Sequence, residues 1–427
     1  MTSRKRVRAA LDHTEGPVPI DFGSNAVTGM HVSVVAALRD HYGLERHPVP
    51  VIEPYQMLGE IEEDLKVALG VDVDGLYPRN TMFGFPNTGW KEWRTPWDQD
   101  VLVPADFNVT CDANGDVLIY PQGDTSVPPS GRMPTNGLFF DSIIRQDPII
   151  TGADGEEELD VDDNLEEFAP LAEADLAWFG SEANRLRHSG RAVVANFGGT
   201  GLGDIALVPG PMMKHPKGIR DVTEWYISTV ARQDYVREVF ERQTEIAIGN
   251  LERIHNVVGE VPDVVFLCGT DFGTQESTFC SPQTFRELYV PYYRRMTDWI
   301  HANTGWKIFK HSCGAVAGFM PLFIEAGFDI INPVQISARG MDRETLKREY
   351  GADLVFWGGG VDTQKTMPFA GPDDVRAEVL ESCRIFSQGG GFVFNAVHNV
   401  QARSPEDNVV AMFDAVCEFN SGRNEQA

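Results

Sequence analysis

"WKIFKHSCGAVAGFMPLFIEAGFDIINPVQ", residues 306–335, holds two short apolar runs with a different pattern between them. The runs at 306–314 and 328–335 are rich in Ile, Phe and Trp, and each closes on polar residues or glycine. Between them, residues 315–327 place apolar side chains at helical spacing and stop at Gly327. The stretch reads as strand, helix, strand, the repeating unit of a parallel sheet.

The same reading extends outward. Further β-rich runs lie at 17–23, 72–78, 191–199, 262–273, 353–360 and 391–399. Residues 282–305, 342–351 and 372–390 show helical spacing, each with a glycine near its end. Eight strands alternating with helices predict an α/β protein, and the count favours a closed (β/α)8 TIM barrel spanning residues 1–427 as one domain. Residues 80–190 are too long for a simple crossover. They predict an insertion after the second strand: a β-meander with a hairpin turn at Asn114-Gly115, then an acidic, partly helical segment over 154–178. Its tryptophans, Trp90, Trp93 and Trp97, suit a surface that covers the barrel mouth or meets a neighbouring subunit. A plain meander with its own small core is the alternative.

Composition narrows the function classes. The 427 residues are 42% hydrophobic and carry a formal charge of −27, so no basic footprint exists for nucleic acid. That charge also opposes binding to an anionic membrane surface, and no apolar stretch reaches the ~18 residues of a span. The basic start "MTSRKRVRAALDHTEG" lacks the apolar region of a signal peptide. Six scattered cysteines without a CxxC pair point to a reducing cytoplasm.

In a βα barrel, chemistry gathers where strands end. The polar residues at those ends are Asn196, Asp271, Gln275, His311, Cys313, Asn332, Gln335, Asp362, Gln364, Asn395, His398 and Gln401. Some are expected merely to cap helices. His311 and Cys313 lie two apart on one strand and so project from the same face. His398 ends the eighth strand, across the mouth. Two imidazoles and a thiolate suit Zn²⁺ and leave a fourth position open; a buried thiol beside a satisfied core histidine is the bland alternative. "GGTGLGD" at 198–204 reads as a glycine-rich loop of the site rather than a dinucleotide fingerprint.

These motifs resemble the uroporphyrinogen decarboxylase superfamily, most strongly over 262–410. The resemblance rests on "GTDFGTQESTFCSPQTFRELYVP", "KHSCGAV", "INPVQISARGMDRETLKREYG", "FWGGGVDTQ" and "HNVQARSPEDN". True decarboxylases carry "MRQAGR" after the first strand and "FSD" after the second, where this chain has "DFGSNAVTG" and "LYPRN". The resemblance is therefore to the cobalamin-dependent methyltransferase branch. It implies one Zn²⁺ per chain on His311, Cys313 and His398, with histidine standing where that branch has a cysteine. It also implies a corrinoid supplied by a partner protein, since no "DxHxxG" stretch occurs here. Asp271 and Asp362 become the expected catalytic acids, and Asn196, Gln275, Gln335, Gln364, Asn395 and Gln401 the expected contacts of a small methyl donor or acceptor. A metal-assisted lyase or hydrolase and a non-catalytic binding subunit remain the alternatives, and a homodimer stays open.

Overall fold

The computed structural model describes residues 1–146, 149, 159–165 and 168–424. Seven parallel strands form one sheet, each bonded to the next in chain order. They are Val73–Leu76, Ala192–Asn196, Val264–Cys268, Lys307–His311, Ile330–Asn332, Val355–Trp357 and Phe392–Val393. Helices such as Val290–Asn303, Arg343–Tyr350 and Pro372–Phe386 fill the crossovers.

The first expected strand, 17–23, is not one. Pro17 and Pro19 have no N–H to give to a ladder, so regular pairing cannot propagate. What remains is an isolated parallel bridge from Ile20 to Phe394. On the other side, the Ile20 carbonyl accepts from the Asp72 N–H at 2.8 Å. This one segment ties both edges of the seven-stranded sheet.

The inward side chains include Val73, Val194, Val264, Phe309, Ile330, Val355 and Val393, which cluster with Val7, Ala10 and Leu11 of the helix Ser3–Leu11. That helix owes its place to charge. Arg4 and Arg8 pair with Asp263 at 3.0 and 2.6 Å, and Arg6 with Asp72 at 2.8 Å. Both acids precede strands, so the basic N-terminus packs at the N-terminal ends of the sheet. The C-terminal ends stay available for a site.

The insertion departs from a single meander. Lys91–Arg94 and Asp100–Val103 join Val49–Glu53 and Leu58–Gly59, which were not expected as strands, in a four-stranded sheet. Val109–Cys111, Val117–Ile119, Gly131–Met133 and Asp141–Ser142 make a second, antiparallel one, with the expected hairpin across Asn114-Gly115. Of the acidic run, 154–158 and 166–167 lie outside the described residues; its helix is Glu173–Leu186. The insertion packs on loops that leave the C-terminal strand ends. The Leu138 carbonyl meets His31 Nε2 at 2.9 Å, Gln122 donates to the Met212 carbonyl at 3.2 Å, and Lys214 pairs with Asp124 at 2.7 Å. Trp93 and Trp97 are half-buried against the core, while Trp90 is exposed. Among the described residues, no helix is long and apolar enough to cross a membrane.

Candidate metal centre

The strand Lys307–His311 alternates as a strand must. Phe309 and His311 face the barrel interior, so His311 tops the inward apolar column and Cys313 follows just beyond the strand end. The loop after Phe392–Val393 brings in His398. One donor atom from each of His311, Cys313 and His398 lies within 4.8 Å of the other two. His311 Nε2 is 3.3 Å from Cys313 Sγ, and the two imidazole rings stand edge to face with centroids 5.2 Å apart.

Two glycines make this approach feasible. Gly314 has a φ of 92°, and a Cβ there would fall 2.3 Å from the Gly273 carbonyl carbon. A Cβ on Gly273 would in turn lie 2.7 Å from the Ala315 nitrogen. Without side chains, the loops after the third and fourth sheet strands pack backbone to backbone, tied by Ala315 N–H to the Thr274 carbonyl at 2.8 Å. Asp271 is thereby brought in. Its Oδ1 accepts the Cys313 N–H at 2.6 Å and lies 3.7 Å from His311 Nε2. His398 sits at φ 72°, a left-handed conformation that costs a non-glycine residue about 1–2 kcal/mol and recurs at functional sites.

The hydrogen bonds assign the tautomers. Asn332 donates its Nδ2 to the Trp357 carbonyl at 2.8 Å, so its Oδ1 is the acceptor for His311 Nδ1–H at 2.6 Å. The lone pair of His311 then resides on Nε2, beside the thiol. This is the arrangement of metal-bound imidazoles, whose outer nitrogen donates to a fixed acceptor. His398 differs, because its Nδ1 accepts the Asn399 N–H at 2.8 Å. The neutral ring therefore carries its proton on Nε2, and to offer a lone pair to a metal His398 would have to give up the Asn399 hydrogen bond. Burial drives both imidazoles down to about 3, with the Lys310 charge adding to the effect on His311 and the neighbouring His311 on His398. Burial and the Asp271 carboxylate push the Cys313 thiol well up. In the absence of a cation the site thus holds neutral rings and a neutral thiol. A divalent soft metal is the group that would turn Cys313 into a thiolate. The donor set fits zinc.

The other expected residues divide. Gln335 donates to Gln275 Oε1 at 3.1 Å and accepts the Gly314 N–H at 2.7 Å, and Gln275 also bonds Gln364. These three amides form a chain across the mouth, ending on the loop that follows Cys313. Asp362 accepts the Gln364 N–H at 2.8 Å and holds that loop. Asn196 folds back on its own loop, accepting the Gly198 N–H at 3.0 Å. Asn395 is fully buried and donates to the Asp21 carbonyl at 2.7 Å. Gln401 is exposed and contacts the Asn399 carbonyl at 3.5 Å.

Sequence reasoning passed over several residues. Asp21 ends the run "PVPIDFG", a polar residue at a strand end that the same rule could have found. It is fully buried, accepts from Ser24 Oγ and Trp357 Nε1 at 2.8 Å each, and keeps Oδ1 without a partner. Burial raises its carboxyl to about 6 from an ordinary 3.8. Asp204, in the glycine-rich loop, rises to about 6 through burial and the nearby Asp271. For a carboxyl raised in the folded state, the stability it confers is present below the unfolded value and lost as pH climbs through the folded one. Asp21→Asn keeps the acceptor and removes the titration. Urea unfolding should show the wild type losing about 2 kcal/mol more than this variant between pH 4 and pH 8. Equal pH profiles would mean that Asp21 ionises normally.

A family model described as Uroporphyrinogen decarboxylase (URO-D) matches residues 212–419, which contain His311, Cys313, His398 and Asp271. Among solved structures, a methyltransferase from Methanosarcina mazei has the same fold with a TM-score of 0.54 and 14% sequence identity. The match covers 98% of this chain and 99% of that one. No curated protein matches the sequence.

Proposed function

We propose, from the match of residues 212–419 to the uroporphyrinogen decarboxylase (URO-D) family model, that the protein is a zinc-dependent methyltransferase on a (β/α)8 barrel. Its reaction moves a methyl group between a small methylated or methoxylated compound and a corrinoid carried by a partner protein. The observation that carries this reading is the convergence of His311, Cys313 and His398 within 4.8 Å at the C-terminal strand ends.

His311 and Cys313, joined by His398, would hold one zinc ion per chain. Bound there, zinc supplies Lewis acidity to the heteroatom that loses or gains the methyl group, or the positive charge that keeps an acceptor thiol ionised. The chain's own residues supply the remainder. Asn332 keeps the His311 lone pair on Nε2. Asp271 commits Oδ1 to the Cys313 N–H, and its Oδ2 is the atom that orients substrate or takes up a proton. Gln335, Gln275 and Gln364 line the mouth with amides already fixed to one another, so substrate binding orders little that is loose. A true decarboxylase is disfavoured by the absence of the arginine and aspartate motifs that handle a porphyrinogen.

The test uses the zinc-loaded protein with reduced cobalamin and a panel of methoxylated and methylated compounds, followed by the absorbance change on methylation. At least one compound should be turned over. No change with any of them, at full zinc content, would leave a lyase or hydrolase as the better reading.

A further inference from the structure

Lys310 is completely buried, yet among the described residues its ammonium pairs with no carboxylate. Such a charge is costly to bury unless its donors are satisfied. Here they are. Nζ donates to the Thr270 carbonyl at 2.6 Å and to the His311 carbonyl, and lies 3.6 Å from Cys268 Sγ. It also sits over the Phe272 ring at 5.1 Å and the Phe323 ring at 5.8 Å. Both carbonyls belong to segments that carry the metal centre: Thr270 precedes Asp271, and His311 is itself a candidate ligand.

A second tie lies on the other side of Asp271. Ser312, also fully buried, accepts the Phe272 N–H on its Oγ at 2.9 Å. Asp271 is therefore held at 270 and at 272 by the two residues that flank His311. The strand register prepares this arrangement. A bulge between Phe266 and Cys268 sets Cys268 opposite Lys310 and shifts the following loop toward the neighbouring strand. The bulged Leu267 carbonyl is in turn taken up by the Thr200 hydroxyl.

We propose that Lys310 and Ser312 are positioning residues that clamp the Asp271 loop onto the His311–Cys313 segment and thereby preorganise the metal centre. The inference rests on the proposed metal centre for its consequence, whereas the clamp is given by the hydrogen bonds of Lys310 and Ser312 themselves. An apolar side chain of similar length would fill the Lys310 site without the desolvation cost, so a purely structural lysine would be replaceable with little loss. A positioning lysine would not. Its removal should leave the fold intact and loosen the centre.

The test compares wild type with Lys310→Met and Ser312→Ala by two measurements. One is hydrogen exchange of peptides covering 269–275 and 309–316 in the metal-free protein. The other is zinc affinity, by competition with a chromogenic chelator. In Lys310→Met, exchange in those peptides should quicken by about tenfold or more while the rest of the barrel is unchanged, and zinc should bind ~10–100-fold more weakly. The melting temperature should fall by no more than a few degrees, since the two carbonyls that lose their donor offset the lysine's relieved desolvation. Ser312→Ala should move both readouts in the same direction by less, and it decides the matter if Lys310→Met does not fold. Unchanged local exchange and affinity overturn the proposal, as does a loss of protection spread evenly over the chain. If wild type binds no zinc while exchange quickens locally in the variants, the clamp stands and the metal reading falls.

Discussion

Cys313→Ser is expected to strip the protein of its metal and its turnover while leaving the barrel folded. In the proposed centre Cys313 would supply the soft ligand of the trio, and its Sγ lies 3.3 Å from His311 Nε2. Serine keeps the shape of the side chain, but its hydroxyl ionises far less readily than a thiol and binds zinc poorly at neutral pH. Affinity should fall by more than the roughly 10–100-fold that follows loss of an outer hydrogen-bond partner. Elemental analysis of the purified variant should show zinc well below the one ion per chain expected for wild type. With both proteins freed of metal, stability should differ by only about 1 kcal/mol or less, because Cys313 lies past the strand end and keeps its backbone tie to Asp271. A variant that retained full zinc and full activity would remove the thiol from the site altogether.

Asp271→Asn is expected to cost about 10²-fold in kcat with little effect on thermal unfolding. The asparagine side chain can still accept the Cys313 N–H through its oxygen, so the loop geometry survives. What is lost is the negative charge 3.7 Å from His311 Nε2 and the capacity to take up a proton. If Asp271 served only as the acceptor for that N–H, Asp271→Asn would match wild type in kcat and KM, and only Asp271→Ala would be impaired. Measuring both variants against zinc content separates lost chemistry from lost metal.

The expected outcomes depend on contacts that differ greatly in how far the sequence discloses them. His311 and Cys313 were legible because they are neighbours on one strand, where a period of two decides which side chains share a face. His398 was legible only as a polar residue at a strand end. Its meeting with His311 required the loop after Phe392–Val393 to arrive beside Cys313, which no local pattern encodes. Asn332 was read as one strand-end residue among many. Its role follows from the register that pairs it with His311, and register belongs to the assembled sheet. Gln401 and Asn196 fit the same rule and turned elsewhere, because strand-end position says where a residue starts and not where its side chain ends. Lys310 was passed over for the opposite reason. A lysine inside an apolar run is ordinarily a surface residue, and only burial among Phe272, Phe323 and two carbonyls reveals what it holds.

From the sequence alone, the alternation of short apolar runs with helical patterns determined a parallel α/β architecture. The spacing of His311 and Cys313 determined that two good zinc ligands share one strand end. Both are consequences of backbone periodicity, which acts over a few residues. The tertiary structure decided what depends on residues far apart in the chain. Pro17 and Pro19 reduce the first strand to a bridge that ties the sheet edges, a bulge aligns Cys268 with Lys310, and paired glycines let Asp271 reach the Cys313 N–H. These are settled by which backbone donors and acceptors find partners once the whole chain is packed.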